Sequence, residues 1–94
     1  MENIETMYPN TYQFFAGYFF TASFDNTSDD EIISQYKIDC SRKEFELTLK
    51  ELKIIQQEIF KCWKDISLET NKFFESEIAA KKWIDKIILK MEKV

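Results

Sequence analysis

Residues 41–66 read SRKEFELTLKELKIIQQEIFKCWKDI, and the fold class turns on this stretch. Phe45, Leu49, Leu52, Ile55, Ile59, Trp63 and Ile66 recur at steps of three and four, the spacing that puts side chains on one face of an α-helix. Ahead of them, Ser41-Arg42-Lys43-Glu44 has the form of a capping box, in which a Ser hydroxyl and a Glu carboxylate satisfy backbone N–H groups that a first helical turn leaves free. The pattern predicts one helix from Ser41 to about Asp65. Glu46 and Lys50 on its exposed side form a favourable pair, worth only a few tenths of a kcal/mol.

Upstream, Ser28-Asp29-Asp30-Glu31 repeats the cap signature and predicts a short helix from Asp29 to about Ile38 that buries Ile32, Ile33 and Tyr36. Its acidic first turn complements the helix dipole. Before it, Thr11 to Phe20 is almost entirely apolar. A helix opened by Pro9, a residue favoured in the first turn, would be buried on most of its circumference and form the centre of the core. Gly17 costs such a helix about 1 kcal/mol relative to Ala, and either a close approach by another helix or a break would account for it. Thr21 to Thr27 reads as an ordered loop and residues 1–8 as a loosely packed lead-in.

Downstream, the period fails between Ser67 and Glu75, where Phe73 and Phe74 would pin the connection to the core. Ser76 or a residue near it should restart a helix with a buried stripe of Ala80, Trp83, Ile84, Ile87, Ile88 and Met91, while Lys81, Lys82, Asp85, Lys86 and Lys90 face water. One Gly and one Pro in 94 residues leave few places for tight hairpins. The expected fold is all-α, a compact single-domain bundle of about four helices spanning residues 1–94.

Composition narrows the function. A chain that is 45% hydrophobic and 32% charged, with 16% aromatic residues, can bury a substantial core and is not disordered. Histidine is absent, and Cys40 and Cys62 stand in no metal-binding spacing. Ser-His and Cys-His catalysis are therefore excluded, and a zinc site has almost no ligands. The remaining catalytic candidates, Asp29, Asp30 and Glu31, already have a role as the first turn of a helix. The chain is expected not to be an enzyme and to use no cofactor or metal. Met1 is followed by polar and acidic residues and not by a secretory signal, and the apolar run from Phe14 to Phe20 is too short to span a bilayer. Reduced thiols and a cytoplasmic location follow as expectations.

The net charge of −4 is unevenly spread. Up to Asp39 there are seven acidic residues against Lys37 alone, whereas the rest of the chain has twelve basic against ten acidic. Nucleic-acid binders concentrate the opposite sign, and the aromatic helix has no basic face for anionic lipid. A cationic protein is the partner this distribution suits, since complementary charge speeds association and selects partners.

Tyr12-Gln13-Phe14-Phe15-Ala16-Gly17-Tyr18-Phe19, followed by a short loop and Ser28-Asp29-Asp30-Glu31-Ile32-Ile33-Ser34-Gln35-Tyr36, resembles the start of contact-dependent growth inhibition immunity proteins. In that family a Gly-x-Tyr-Phe or Gly-Tyr-Phe element precedes an acidic-capped second helix and a long third one. A Trp-Leu pair occurs in the last helix, where Trp83-Ile84 stands here. The family often has a His-Gln-Asp-aromatic run directly after Tyr-Phe; this chain departs from it, with Phe20-Thr21-Ala22-Ser23 in that place and an aromatic and an acid only at Phe24 and Asp25. The resemblance implies a cytoplasmic protein that binds the toxic C-terminal domain of an effector made by the same strain, commonly a nuclease with a basic surface. The toxin-facing surface expected on that reading comprises Asp25, Asp29, Asp30, Glu31 and Asp39, with Phe20, Phe24 and Tyr36 as aromatic anchors. The alternative is a small helical module that self-associates or binds a partner unrelated to toxins.

Overall fold

The helical spacing of the sequence is realised as six helices in the computed structural model, which describes residues 3–94 and has no strand among them. The first helix, α1 (Ile4–Met7), lies within the expected lead-in and corrects it. Asn3 Oδ1 accepts from the Thr6 N–H at 3.1 Å, and Thr6 Oγ1 accepts from the Asn3 N–H at 3.3 Å, closing a reciprocal cap. Ile4 and Tyr8, one helical turn apart, are both buried in the core. Met1 and Glu2, the first residues of that lead-in, lie outside the described residues.

The central helix, α2, runs from Pro9–Phe14 through a π-helical turn at Phe15–Phe19 into Phe20–Ala22. Its N-terminus has Pro at the first position and no cap from Tyr8. The cap comes instead from Glu51, forty residues away: one carboxylate oxygen accepts from the Thr11 N–H at 2.9 Å and the other from Asn10 Nδ2 at 2.7 Å. Phe14, Phe15 and Phe19 are wholly buried, so α2 is the centre of the core as its composition predicts. Phe14 stacks on Tyr36 at 4.2 Å between ring centroids, and Phe15 and Phe19 meet Trp83 at 5.6 and 5.1 Å. The expected reasons for Gly17 do not apply. The chain does not break there, and a Cβ added at Gly17 would meet nothing within 4 Å.

After a turn whose Asn26 takes the left-handed conformation (φ 55°), Ser28 Oγ accepts from the Glu31 N–H at 3.2 Å. It opens α3 (Asp29–Asp39), which buries Ile32, Ile33 and Tyr36 as predicted. Ser41 caps the next helix, α4 (Arg42–Gln57), in the same way.

The single long helix expected from Ser41 to Asp65 is in fact two. Glu58 leaves helical geometry (φ −116°, ψ 31°), and α5 (Ile59–Thr70) begins after it. The apolar stripe survives the break, with Phe45, Leu52, Ile55, Ile59 and Ile66 buried. The reason lies in the size of the core. A straight helix over residues 42–65 would be about 36 Å long at roughly 1.5 Å per residue, whereas the longest extent of the whole fold is 31 Å. Broken at Glu58, the two halves cover different parts of α2: α4 packs on Pro9–Phe14 and α5 on the π turn.

α5 also runs on through the segment expected to be irregular, ending at Asn71 in the left-handed conformation (φ 55°) that commonly closes helices. Of the two phenylalanines expected to pin the following loop, Phe74 packs against Trp83 at 5.7 Å, but Phe73 points to solvent and is 82% exposed. Ser76 then caps α6 (Glu77–Lys93), and of the stripe read from the sequence Ala80, Ile84, Ile87, Ile88 and Met91 are buried while Trp83 is part-buried.

Candidate functional site

The end of α2 and the loop between α5 and α6 are stitched together at one corner of the bundle. Asn71 Nδ2 donates to Ser23 Oγ at 3.0 Å. Trp83 Nε1 donates to Asp29 Oδ2 at 2.9 Å, while Lys72 Nζ lies 3.6 Å from Asp29 Oδ1. The same ammonium sits 5.5 Å from the centre of the Trp83 ring, close enough for a cation–π attraction. The Lys72 carbonyl also accepts from Ser67 Oγ. These ties fix both loops while leaving large apolar side chains in water. Phe20 and Phe24 meet edge to face at 5.9 Å and are 41% and 72% exposed. Phe73, also exposed, lies in the loop after α5 between Lys72, tied to Asp29, and Phe74, packed on Trp83. Exposed aromatic side chains on a fixed backbone mark interaction surfaces, because little entropy remains to be lost when a partner covers them.

The carboxylates expected at the surface divide into three groups. Asp29 is taken up by Trp83 and Lys72, and Asp30 by Lys90 at 2.5 Å. Both therefore have a partner within the chain: Asp29 ties α3 to Trp83 of α6 in a part-buried contact, and Asp30 meets Lys90 in an exposed pair. Asp39 accepts from the Tyr18 hydroxyl at 3.0 Å and from Gln35 Nε2 at 2.8 Å. Burial, and then the bond to Asp39, pushes the Tyr18 hydroxyl above its ordinary pKa, so Tyr18 stays a donor. Asp25 and Glu31 are exposed and have no ion-pair partner among the described residues.

Tyr36 has to be removed from the expected anchors. It is 5% exposed, stacked on Phe14, and shares a hydrogen bond of 2.6 Å with the buried Thr48 hydroxyl. Burial pushes its own hydroxyl up to about 12.

Between α2 and α3 lies an open groove of about 310 Å³. Gly17, Thr21, Ala22 and Ile32 line it together with Asp25 and Glu31, and Tyr18 and Gln35, the two donors to Asp39, also form part of its wall. A larger groove of about 550 Å³ lies between α4 and the end of α6, but its charges are partly met within the chain. Arg42 pairs there with Glu46 at 3.2 Å, and the Lys37 ammonium lies 5.7 Å from the centre of the Phe45 ring.

Among the described residues no group of three or more His, Cys, Asp or Glu side chains could hold a metal ion, and no helix is long and apolar enough to cross a membrane. Cys40 and Cys62 are free thiols, each with its pKa raised, chiefly by burial.

Comparison with protein families, with curated proteins and with solved structures finds no match.

Sequence reasoning missed Phe73. Composition and period treat Phe73 and Phe74 alike, and the available signal was Asn71, a residue suited to a left-handed helix end, which sets the phase of the loop after it.

Proposed function

We propose that this chain is an immunity protein, which binds the toxic C-terminal domain of a contact-dependent growth inhibition effector in the cytoplasm and neutralises it by binding, without catalysis. The observation that carries the proposal is the exposed Phe20/Phe24 pair at the end of α2, where the Ser23–Asn71 and Asp29–Lys72 ties join the neighbouring loops, together with Asp25 and Glu31, which line the groove between α2 and α3 without an ion-pair partner among the described residues. Exposed aromatic anchors and unpaired acids suit a basic protein surface: the rings supply buried area and the acids select charge.

The family resemblance supports the same reading through where its residues lie. Phe14, Phe15, Phe19, Ile32, Ile33, Tyr36 and Ile84 are buried, so the matching positions build the packing. The departure after Phe19 includes the exposed Phe20, Phe24 and Asp25. Immunity proteins with a shared core and different toxins would be expected to differ at such surface positions.

The test is co-expression with the toxin domain encoded beside this chain, followed by size-exclusion chromatography of the pair. A one-to-one complex and restored growth support immunity. Self-association, the other reading, would bury Phe24 and Phe73 against a second copy and give a dimer without any toxin.

A further inference from the structure

We infer that the groove beside Gly17 receives a basic side chain of the partner, an arginine first of all, with its hydrocarbon stem over Gly17 and Ala22 and its head held by Asp25 and Glu31. The identity of the partner rests on the proposed toxin-binding role; the chemistry of the groove does not.

The first observation is Gly17 itself. A glycine inside a helix lowers stability relative to alanine, and here no internal contact requires one, because an added Cβ would meet no atom within 4 Å. The space it leaves opens outward, into the groove. The glycine also sits in the π-helical turn, an irregularity that recurs at functional sites. The second observation is the balance of charge. The carboxylates of the neighbouring first turn of α3 are paired, Asp29 with Lys72 and Asp30 with Lys90, while Glu31 accepts only from the Ser28 hydroxyl at 3.1 Å. Asp25 and Glu31 are left without a cation among the described residues, and both line the groove.

The third is shape and lining. Gly17, Ala22 and Ile32 in the lining offer apolar surface of the kind that accepts a long side-chain stem. At about 310 Å³ the groove is open and small, suited to one inserted side chain better than to an enclosed metabolite. Arginine is favoured over lysine because its planar fork can bond two carboxylates at once.

The experiment uses the full chain labelled with ¹⁵N and, as probe, a capped Ala-Arg-Ala peptide set against Ala-citrulline-Ala, its neutral counterpart. The arginine peptide is expected to shift the amides of Gly17, Thr21, Ala22 and Glu31 in a saturable and salt-sensitive way. The citrulline peptide is expected to leave them unmoved. Gly17→Leu, which fills the groove, and the pair Asp25→Asn with Glu31→Gln should each abolish the shifts and weaken binding of the toxin domain about tenfold or more. Gly17→Leu should not lower the melting temperature, so lost binding in that variant is not lost folding.

Groove amides that ignore the arginine peptide, or respond equally to citrulline, overturn the inference. So does a toxin domain that binds all variants like the wild type, although the toxin reading then stands. If the toxin domain is not bound at all while the peptide shifts map to the groove and vanish in the variants, the toxin reading falls and the groove assignment stands.

Discussion

Replacing Glu51 with alanine should destabilise this protein although Glu51 sits mid-helix. Its carboxylate accepts from the Thr11 N–H at 2.9 Å and from Asn10 Nδ2 at 2.7 Å, and so provides the N-terminal cap that Tyr8 does not supply to α2. Thr11 is fully buried, so water cannot replace the lost acceptor. A hydrogen bond to a charged group contributes roughly 1.5–3 kcal/mol, and the interaction with the positive end of the helix dipole belongs to the same contact. The expected loss is about 2 kcal/mol. For a domain of this size that corresponds to roughly 8–16 °C in Tm. Helix propensity cannot produce the drop, since alanine is at least as good a helix former as glutamate. Glu51→Gln keeps an acceptor and loses the charge, so its drop should be about half as large. Thermal unfolding followed by circular dichroism measures all three proteins. A Glu51→Ala variant melting within about 2 °C of the wild type would refute the remote cap.

The remaining predictions concern other parts of the same structure. Burial raises the Tyr36 hydroxyl from 10.0 to about 12. The folded state therefore holds that proton longer than the unfolded chain, and the associated stability, roughly 3 kcal/mol, is complete below pH 10 and lost between pH 10 and about 12. Urea midpoints across that window should fall more steeply for the wild type than for Tyr36→Phe. Thr11 Oγ1 is buried with no hydrogen-bond partner among the described residues, so Thr11→Val, which removes the hydroxyl at nearly constant shape, should leave stability unchanged or raise it by about 1 kcal/mol in urea titration. Phe24→Ser and Phe73→Ser should shift unfolding by less than about 0.5 kcal/mol, because both rings are already in water. Each should nevertheless weaken the toxin complex by about 1–2 kcal/mol in calorimetry.

What the sequence makes legible here is local. The serine caps at Ser28, Ser41 and Ser76 act over three residues, and each is found in the structure. The stripes of α4, α5 and α6 follow from helical period alone, and their residues are buried or part-buried as read. What stays hidden is set at long range. No proline or glycine marks the break at Glu58, because its cause is the size of the core that both halves must cover. The cap on α2 comes from Glu51 across forty residues. The acidic surface read from Asp25, Asp29, Asp30, Glu31 and Asp39 loses two members to Lys72 and Lys90, cations supplied from the far end of the chain. Tyr36 fits both a core stripe and an interface when read from sequence, and only packing against Phe14 and Thr48 assigns it to the core. Charge reversal at Asp29 or Asp30 would consequently disturb the fold along with any interface. Asp25 and Glu31 are the positions at which to probe binding.

The most direct test of the proposed role is protection. Cells expressing a C-terminal toxin domain encoded next to this chain, the cognate toxin on this proposal, are followed for growth with the wild-type chain and with a variant carrying Phe24→Ser, Asp25→Lys and Glu31→Gln. The wild type is expected to restore growth and co-purify with the toxin as a one-to-one complex, while the variant folds normally and fails at both. A wild-type chain that neither protects nor binds would contradict the immunity reading, and a variant that protects fully would contradict the assignment of this surface.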